Sequence, residues 1–350
     1  MTKKSYPLID IFKFISALTI IAIHTQPFLN YTDSFLYIPY SFIKCFAIPF
    51  FFVSSSYLFF SKIDINNMSS DLSRTYLKKW LKRLLQLYII YSIVNMALMF
   101  HDWKSKDILY WIKFILLGNG NGYLWFFAAL IGSVLIIFGA MSLIQKFFSG
   151  KRAQLLFIVI LLLFVLLPMI LLQFYYGVFK NGIFKCFINE YYLYFENVRN
   201  VVSGLYYCLI GVLVVLLNKI YNAIINRFLL LISVVVAYID FYFVMSNNLC
   251  KEEYSTFFLS FVYIFLMFEC LQFNRDIKCS LFLRKASNVI YFQHRYVLIA
   301  ITAINKVFKV SILSNNIILF STTVIIMCVL TGFYMCLERT KMKKIIRYLF

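Results

Sequence analysis

Apolar residues occupy this chain in long blocks separated by short polar intervals. Stretches of the length needed to cross a hydrocarbon core as a helix fall at 9–28, 37–60, 82–100, 123–144, 154–176, 200–217, 228–245, 256–272, 286–303 and 316–336. The pattern predicts an all-α, polytopic membrane protein of about ten transmembrane helices. A mean hydropathy of +0.83 and a hydrophobic fraction of 63% agree with it, because an ordinary soluble domain is nearer half apolar. Lys3 and Lys4 precede the first stretch and no small-residue cleavage site follows it, so it is read as an uncleaved first span. With no internal repeat, Pro- or Ser-rich linker or soluble appendage, residues 1–350 are read as one membrane domain.

Charge sets the orientation. The segments 1–8, 61–83, 145–152, 218–227, 273–285 and 337–350 hold about 22 Lys and Arg, and the alternate loops about 9. Both termini are therefore expected in the cytoplasm. The net charge of +20 then reflects basic residues beside anionic headgroups, with clusters at Lys78, Lys79, Lys82 and Arg83 and from Arg339 to Arg347. No nucleic-acid recognition motif accompanies it. The eight cysteines contain no CxxC pair and lie mostly in or beside apolar runs. Cys186 and Cys250, on expected outer loops, are candidates for a bridge. No metal site is expected.

Polar residues inside the apolar runs carry the candidate chemistry, since ionisable groups in lipid usually serve a mechanism. Two of the three histidines, His24 and His294, lie within such runs. Lys13 and His24 are eleven residues apart, a net rotation of about 20° and a rise of about 16 Å, so Asp10, Lys13, Ala17 and His24 share a face. One reading is a buried Asp10–Lys13 pair orienting the helix, with His24 hydrogen-bonded near the far interface. The other is a cavity in which Lys13, near the cytoplasm, meets an anion and His24 acts as general base or proton carrier. Arg295 follows His294 in mid-span and needs water, an anion or a carboxylate. Asp240 and Glu269 are its structural candidates, and substrate contact is the alternative.

Lys44 is read as reaching outward from the second run, and Ser54, Ser55 and Ser56 as packing or back-bonding serines rather than nucleophiles. The stretch 118–122 alternates Gly and Asn but lacks a Lys-Ser/Thr ending and a preceding strand, so it is read as a flexible re-entry into the next span rather than a phosphate loop. Before it, 103–117 fits a helix lying on the outer surface.

Four stretches carry a family resemblance: Ile9-Asp10-Ile11-Phe12-Lys13 running to Ile23-His24-Thr25, then Pro49 to Ser55, Leu124-Trp125-Phe126, and Ile290-Tyr291-Phe292-Gln293-His294. In order and on matching spans they resemble the acyltransferase-3 superfamily of integral membrane acyltransferases. Their wording is most similar to the membrane domain of vancomycin-resistance serine racemases, without the soluble racemase domain. The resemblance implies a ten-helix fold passing an acyl group, usually acetyl, from cytoplasmic coenzyme A to a hydroxyl of a cell-envelope glycan. It implies that His24 and His294 are catalytic and that Lys13 helps bind the acyl-CoA donor. Beside these, Asp10 is expected to join Lys13 at the donor, and Arg295, Trp125, Tyr123, Ser55 and Arg199 are expected to contact substrate. Lys13 stands where arginine is common, Tyr123 where many members have histidine, and Ser56 where glycine is usual. Arg295-Tyr296 replaces a frequent proline.

Two main functions are thus expected. The first is an O-acyltransferase, most simply an O-acetyltransferase, in a bacterial plasma membrane, with lipid, a polysaccharide or other hydroxylated acceptor, and envelope-polymer biosynthesis proteins as partners. The second is a permease or flippase for a small amino acid such as serine or for a glycan precursor, with Arg199 at its outer mouth receiving a carboxylate. A structural subunit of an envelope-polymer synthase leaves His24 and His294 without a role.

Overall fold

A computed structural model of the chain describes residues 6–31, 36–98, 106–118, 122–148, 150–174, 199–217, 223–249, 257–273, 275–308 and 315–340. Among them the regular structure is helical: α1 (Pro7–Thr25), α2 (Tyr37–Phe60), α3 (Asp71–Leu98), α4 (Ile108–Leu116), α5 (Trp125–Phe147), α6 (Lys151–Phe174), α7 (Arg199–Leu217), α8 (Ala223–Ser246), α9 (Leu259–Gln272), α10 (Ser280–Phe308) and α11 (Asn316–Leu337). The described part of each apolar run falls largely on one of these helices. Among the described residues, eight helical segments are long and apolar enough to cross a membrane by length and composition alone. The 14 residues of α9 fall short in length, and α10 carries Asn288, Gln293, His294 and Arg295 in its middle, which lowers its apolarity.

Two helices run well past the predicted spans. α3 begins at Asp71 because the charged stretch before the apolar run is itself amphipathic: Arg74, Lys78, Lys79, Lys82 and Arg83 are exposed. Its opposite face places the rings of Tyr76 and Trp80 at 5.5 and 4.7 Å from Phe59. α10 begins at Ser280, so Arg284 and Lys285, counted above with a loop, are helical. The expected surface helix is the shorter α4, opened by Asp107, whose carboxylate accepts from the Tyr110 amide at 2.8 Å. Tyr88 donates to the carbonyls of Phe114 and Ile115 at its other end. Cys186, Cys250 and residues 119–121 lie outside the described residues.

The chain divides into two compact units, 1–51 with 269–350, and 52–268. In the first, α1 packs on α10 and α11, and α10 on α11. α1 starts with Pro7, whose missing N–H costs nothing in a first turn, and carries Asp10 where the helix dipole favours an acid. It ends where Gln26 turns left-handed at φ 44° and its N–H returns to the Ala22 carbonyl. That end is held from two sides, since the Tyr40 hydroxyl donates to the Ala22 carbonyl at 2.9 Å and the Asn316 amide to the Gln26 carbonyl at 3.1 Å. Phe12, Phe46 and Phe50 bind α1 to α2, with ring separations of 5.5 to 6.4 Å. Lys44 lies with its ammonium 4.8 Å from the Tyr40 ring centre and 5.8 Å from that of Tyr37.

In the second unit α7 packs on α5 and α6, and glycines let it approach the second half of α2. A Cβ on Gly211 would stand 2.5 Å from the Val53 carbonyl oxygen and 2.9 Å from Tyr57 N. This closeness lets the Ser56 hydroxyl donate to the Cys208 carbonyl at 2.7 Å, so Ser56 bonds across helices.

Candidate active site

At the start of α1 the Asp10 carboxylate is 4% exposed and fully engaged. Arg284 donates to it from both Nε and Nη2 at 2.8 Å, and the Ser280 hydroxyl at 2.6 Å. Ser280 and Arg284 are one turn apart on α10 and present a matched fork to one buried acid. The expectation of Asp10 as a donor-binding residue changes accordingly, because both oxygens are committed to joining α1 to α10. A second ion pair, Lys285 with Glu338, joins α10 to the end of α11. Replacing Asp10 with Asn is expected to destabilise the protein by about 1–3 kcal/mol, less than a fully buried pair would cost, because water reaches a guanidinium whose side chain is 42% exposed. Thermal unfolding of Asp10→Asn, with Asp10→Asn/Arg284→Gln recovering part of the loss, checks this. Unchanged unfolding in the single variant contradicts it.

Further along α1, Lys13 is half-buried, Ala17 is fully buried and His24 is exposed. The face that the helical period assigned to these residues therefore packs at Ala17 and opens at His24. Against His24, α10 brings His294: the imidazoles stack with centroids 5.1 Å apart and planes 28° apart. Two histidines separated by most of the sequence thus form one pair. They differ in access, since His294 has no exposed surface.

His294 Nδ1 lies 3.0 Å from the Ile290 carbonyl and 2.9 Å from that of Tyr291. Only a protonated nitrogen can serve two carbonyl oxygens, so Nδ1 is the donor. Tyr291 packs beside this ring, 6.4 Å from it, and touches Phe51 at 5.9 Å. The pair accordingly consists of a buried ring whose Nδ1 is held by its own helix and a ring with exposed surface.

Arg295, next along α10 after His294, is half-buried. It makes no ion pair with Asp240, Glu269 or any other carboxylate among the described residues.

The remaining candidates lie in the second unit. Tyr123 is buried in a short turn, Gly122–Leu124, that leads into α5. Trp125 begins α5, half-buried, with its ring 6.1 Å from Phe52. Ser55 is half-buried on α2, and Arg199 opens α7. Gly118, at φ +70°, sits so close to Trp125 that a Cβ would lie 2.5 Å from the Trp125 Cα; it fixes the approach to that residue, and its place in a glycine-rich stretch was the signal for it. No group of three or more His, Cys, Asp or Glu suited to a metal ion occurs among the described residues.

A family model described as an acyltransferase domain, that of the acyltransferase-3 family, matches residues 6–335. The chain belongs to the acyltransferase-3 family. The matched range holds both histidines and every candidate site residue. A 67-residue stretch is 40% identical to an amino-acid racemase of Enterococcus faecalis and covers 19% of this chain and 9% of that protein. No solved structure matches it.

Proposed function

We propose that this acyltransferase carries an acyl group, most simply acetyl, from acyl-coenzyme A at the cytoplasmic face of a bacterial plasma membrane to a hydroxyl of an envelope glycan or related acceptor. The stacked His24–His294 pair is the observation that carries this reading. In it, Lys13, one helical face with His24, meets the donor's phosphates. His24 takes the proton of the acceptor hydroxyl as its oxygen attacks the thioester carbonyl. The tetrahedral intermediate then collapses, the C–S bond breaks, and the coenzyme A thiolate leaves with the proton that His24 held. His294 positions the His24 ring, and no covalent enzyme intermediate is required. The exposed cations of α3 suit anionic headgroups on the cytoplasmic side, consistent with cytoplasmic termini. Proteins of envelope-polymer biosynthesis would supply the acceptor.

In the permease reading the same polar face would line a path. A nucleotide donor separates the two. Purified protein is expected to bind acetyl-coenzyme A at equilibrium, more weakly as salt rises and more weakly in Lys13→Gln. No binding of acetyl, succinyl or free coenzyme A would favour transport.

A further inference from the structure

Arg295 stands about 22 Å from the start of α10 and about 20 Å from its end, at 1.5 Å per residue. It also lies near the middle of the apolar run 286–303, and a guanidinium inside an apolar span is costly without an anion or water. Among the described residues no carboxylate meets it, and its charged or chargeable neighbours are His24 and His294.

The planar fork of an arginine fits a carboxylate or a phosphate oxygen pair, and it holds such a group far better than it holds a neutral sugar. The donor's phosphates are not the natural occupant. In the transferase reading they belong to Lys13, about 16 Å further down α1 from His24, whereas Arg295 adjoins His294, whose ring stacks on that of His24. We infer that Arg295 binds an oxyanionic group of the acceptor and that the accepting hydroxyl is carried by an anionic molecule, which rests on the assignment of His24 as the base. Carboxylate and phosphate share this chemistry.

The test uses the full chain in lipid nanodiscs and two matched probe pairs: N-acetylmuramic acid with its methyl ester, and glycerol 3-phosphate with glycerol. Binding is read by titration calorimetry. At least one anion is expected to bind tenfold or more tightly than its neutral twin, and the pair with the larger ratio names the source. Arg295→Gln is expected to erase the ratio, and Arg295→Lys, which keeps the charge without the fork, to leave part of it. If Arg295→Gln does not fold, a drop of twofold or more in the ratio for Arg295→Lys carries the result. No anion preference in the native protein, or one that survives Arg295→Gln, overturns the inference. Acetyl-coenzyme A titrated into the same samples separates the two claims: an Arg295-dependent anion preference without coenzyme A binding overturns the transferase reading and leaves the anion site on a transport path.

Discussion

His24→Ala is expected to lower acyl transfer about 10²- to 10⁴-fold, the range a positioned general base contributes, while the protein still folds and reaches the membrane. The geometry separates these effects. His24 is exposed, makes no hydrogen bond among the described residues and touches the His294 ring, so its loss removes one aromatic contact worth about 0.5–1.5 kcal/mol. His294 is different, being fully buried with Nδ1 held by two carbonyls. His294→Ala should lower both activity and stability, since it opens a cavity and strands the packing around Tyr291. Initial rates and unfolding temperatures of both variants in one lipid check this contrast. Activity of His24→Ala within threefold of the native rate would falsify the assignment of the base.

Gly211→Val is expected to be the most damaging substitution in the second unit. The first added carbon would sit 2.5 Å from a carbonyl oxygen and 2.9 Å from a backbone nitrogen of α2. Backbone atoms cannot rotate away, so the two helices must part, at about 1–3 kcal/mol for overpacking or more. The Ser56–Cys208 hydrogen bond would stretch with them, adding about 1 kcal/mol. Gly139 is the control, since nothing lies within 4 Å of its Cβ position. Gly139→Ala should match or exceed native stability, by about 0.5–1 kcal/mol from helix propensity. Thermal unfolding in detergent compares the two, and equal effects would contradict the close α2–α7 approach.

Much of this molecule is legible in hydropathy alone, because a span needs a run of apolar residues and little else can disguise one. The second run was placed at 37–60, the bounds of α2. The misplacements have one cause: the apolar window records the middle of a helix and misses charged turns that continue it. That is why α3 starts at Asp71 and α10 takes in Ser280 and Arg284. The same blindness hid the partner of Asp10. Helical period placed Asp10, Lys13 and His24 on one face, which is local information, but which helix faces them is a long-range matter that spacing does not carry. His24 and His294 stood out as ionisable residues in lipid, yet only the packing of α1 on α10 makes them one pair. Gly211 left no signal, because a glycine in an apolar helix looks the same whether it meets a neighbour's backbone or open space, as Gly139 does.

The most direct test is acyl transfer in oriented membrane vesicles that receive radiolabelled acetyl-coenzyme A on the cytoplasmic face only. With the native chain, label is expected to appear in hydroxyl-linked envelope material on the opposite side, and to vanish with His24→Ala. Label that stays on coenzyme A with the native chain, while the same vesicles accumulate serine or a glycan precursor, would contradict the account and make the histidine pair part of a transport path.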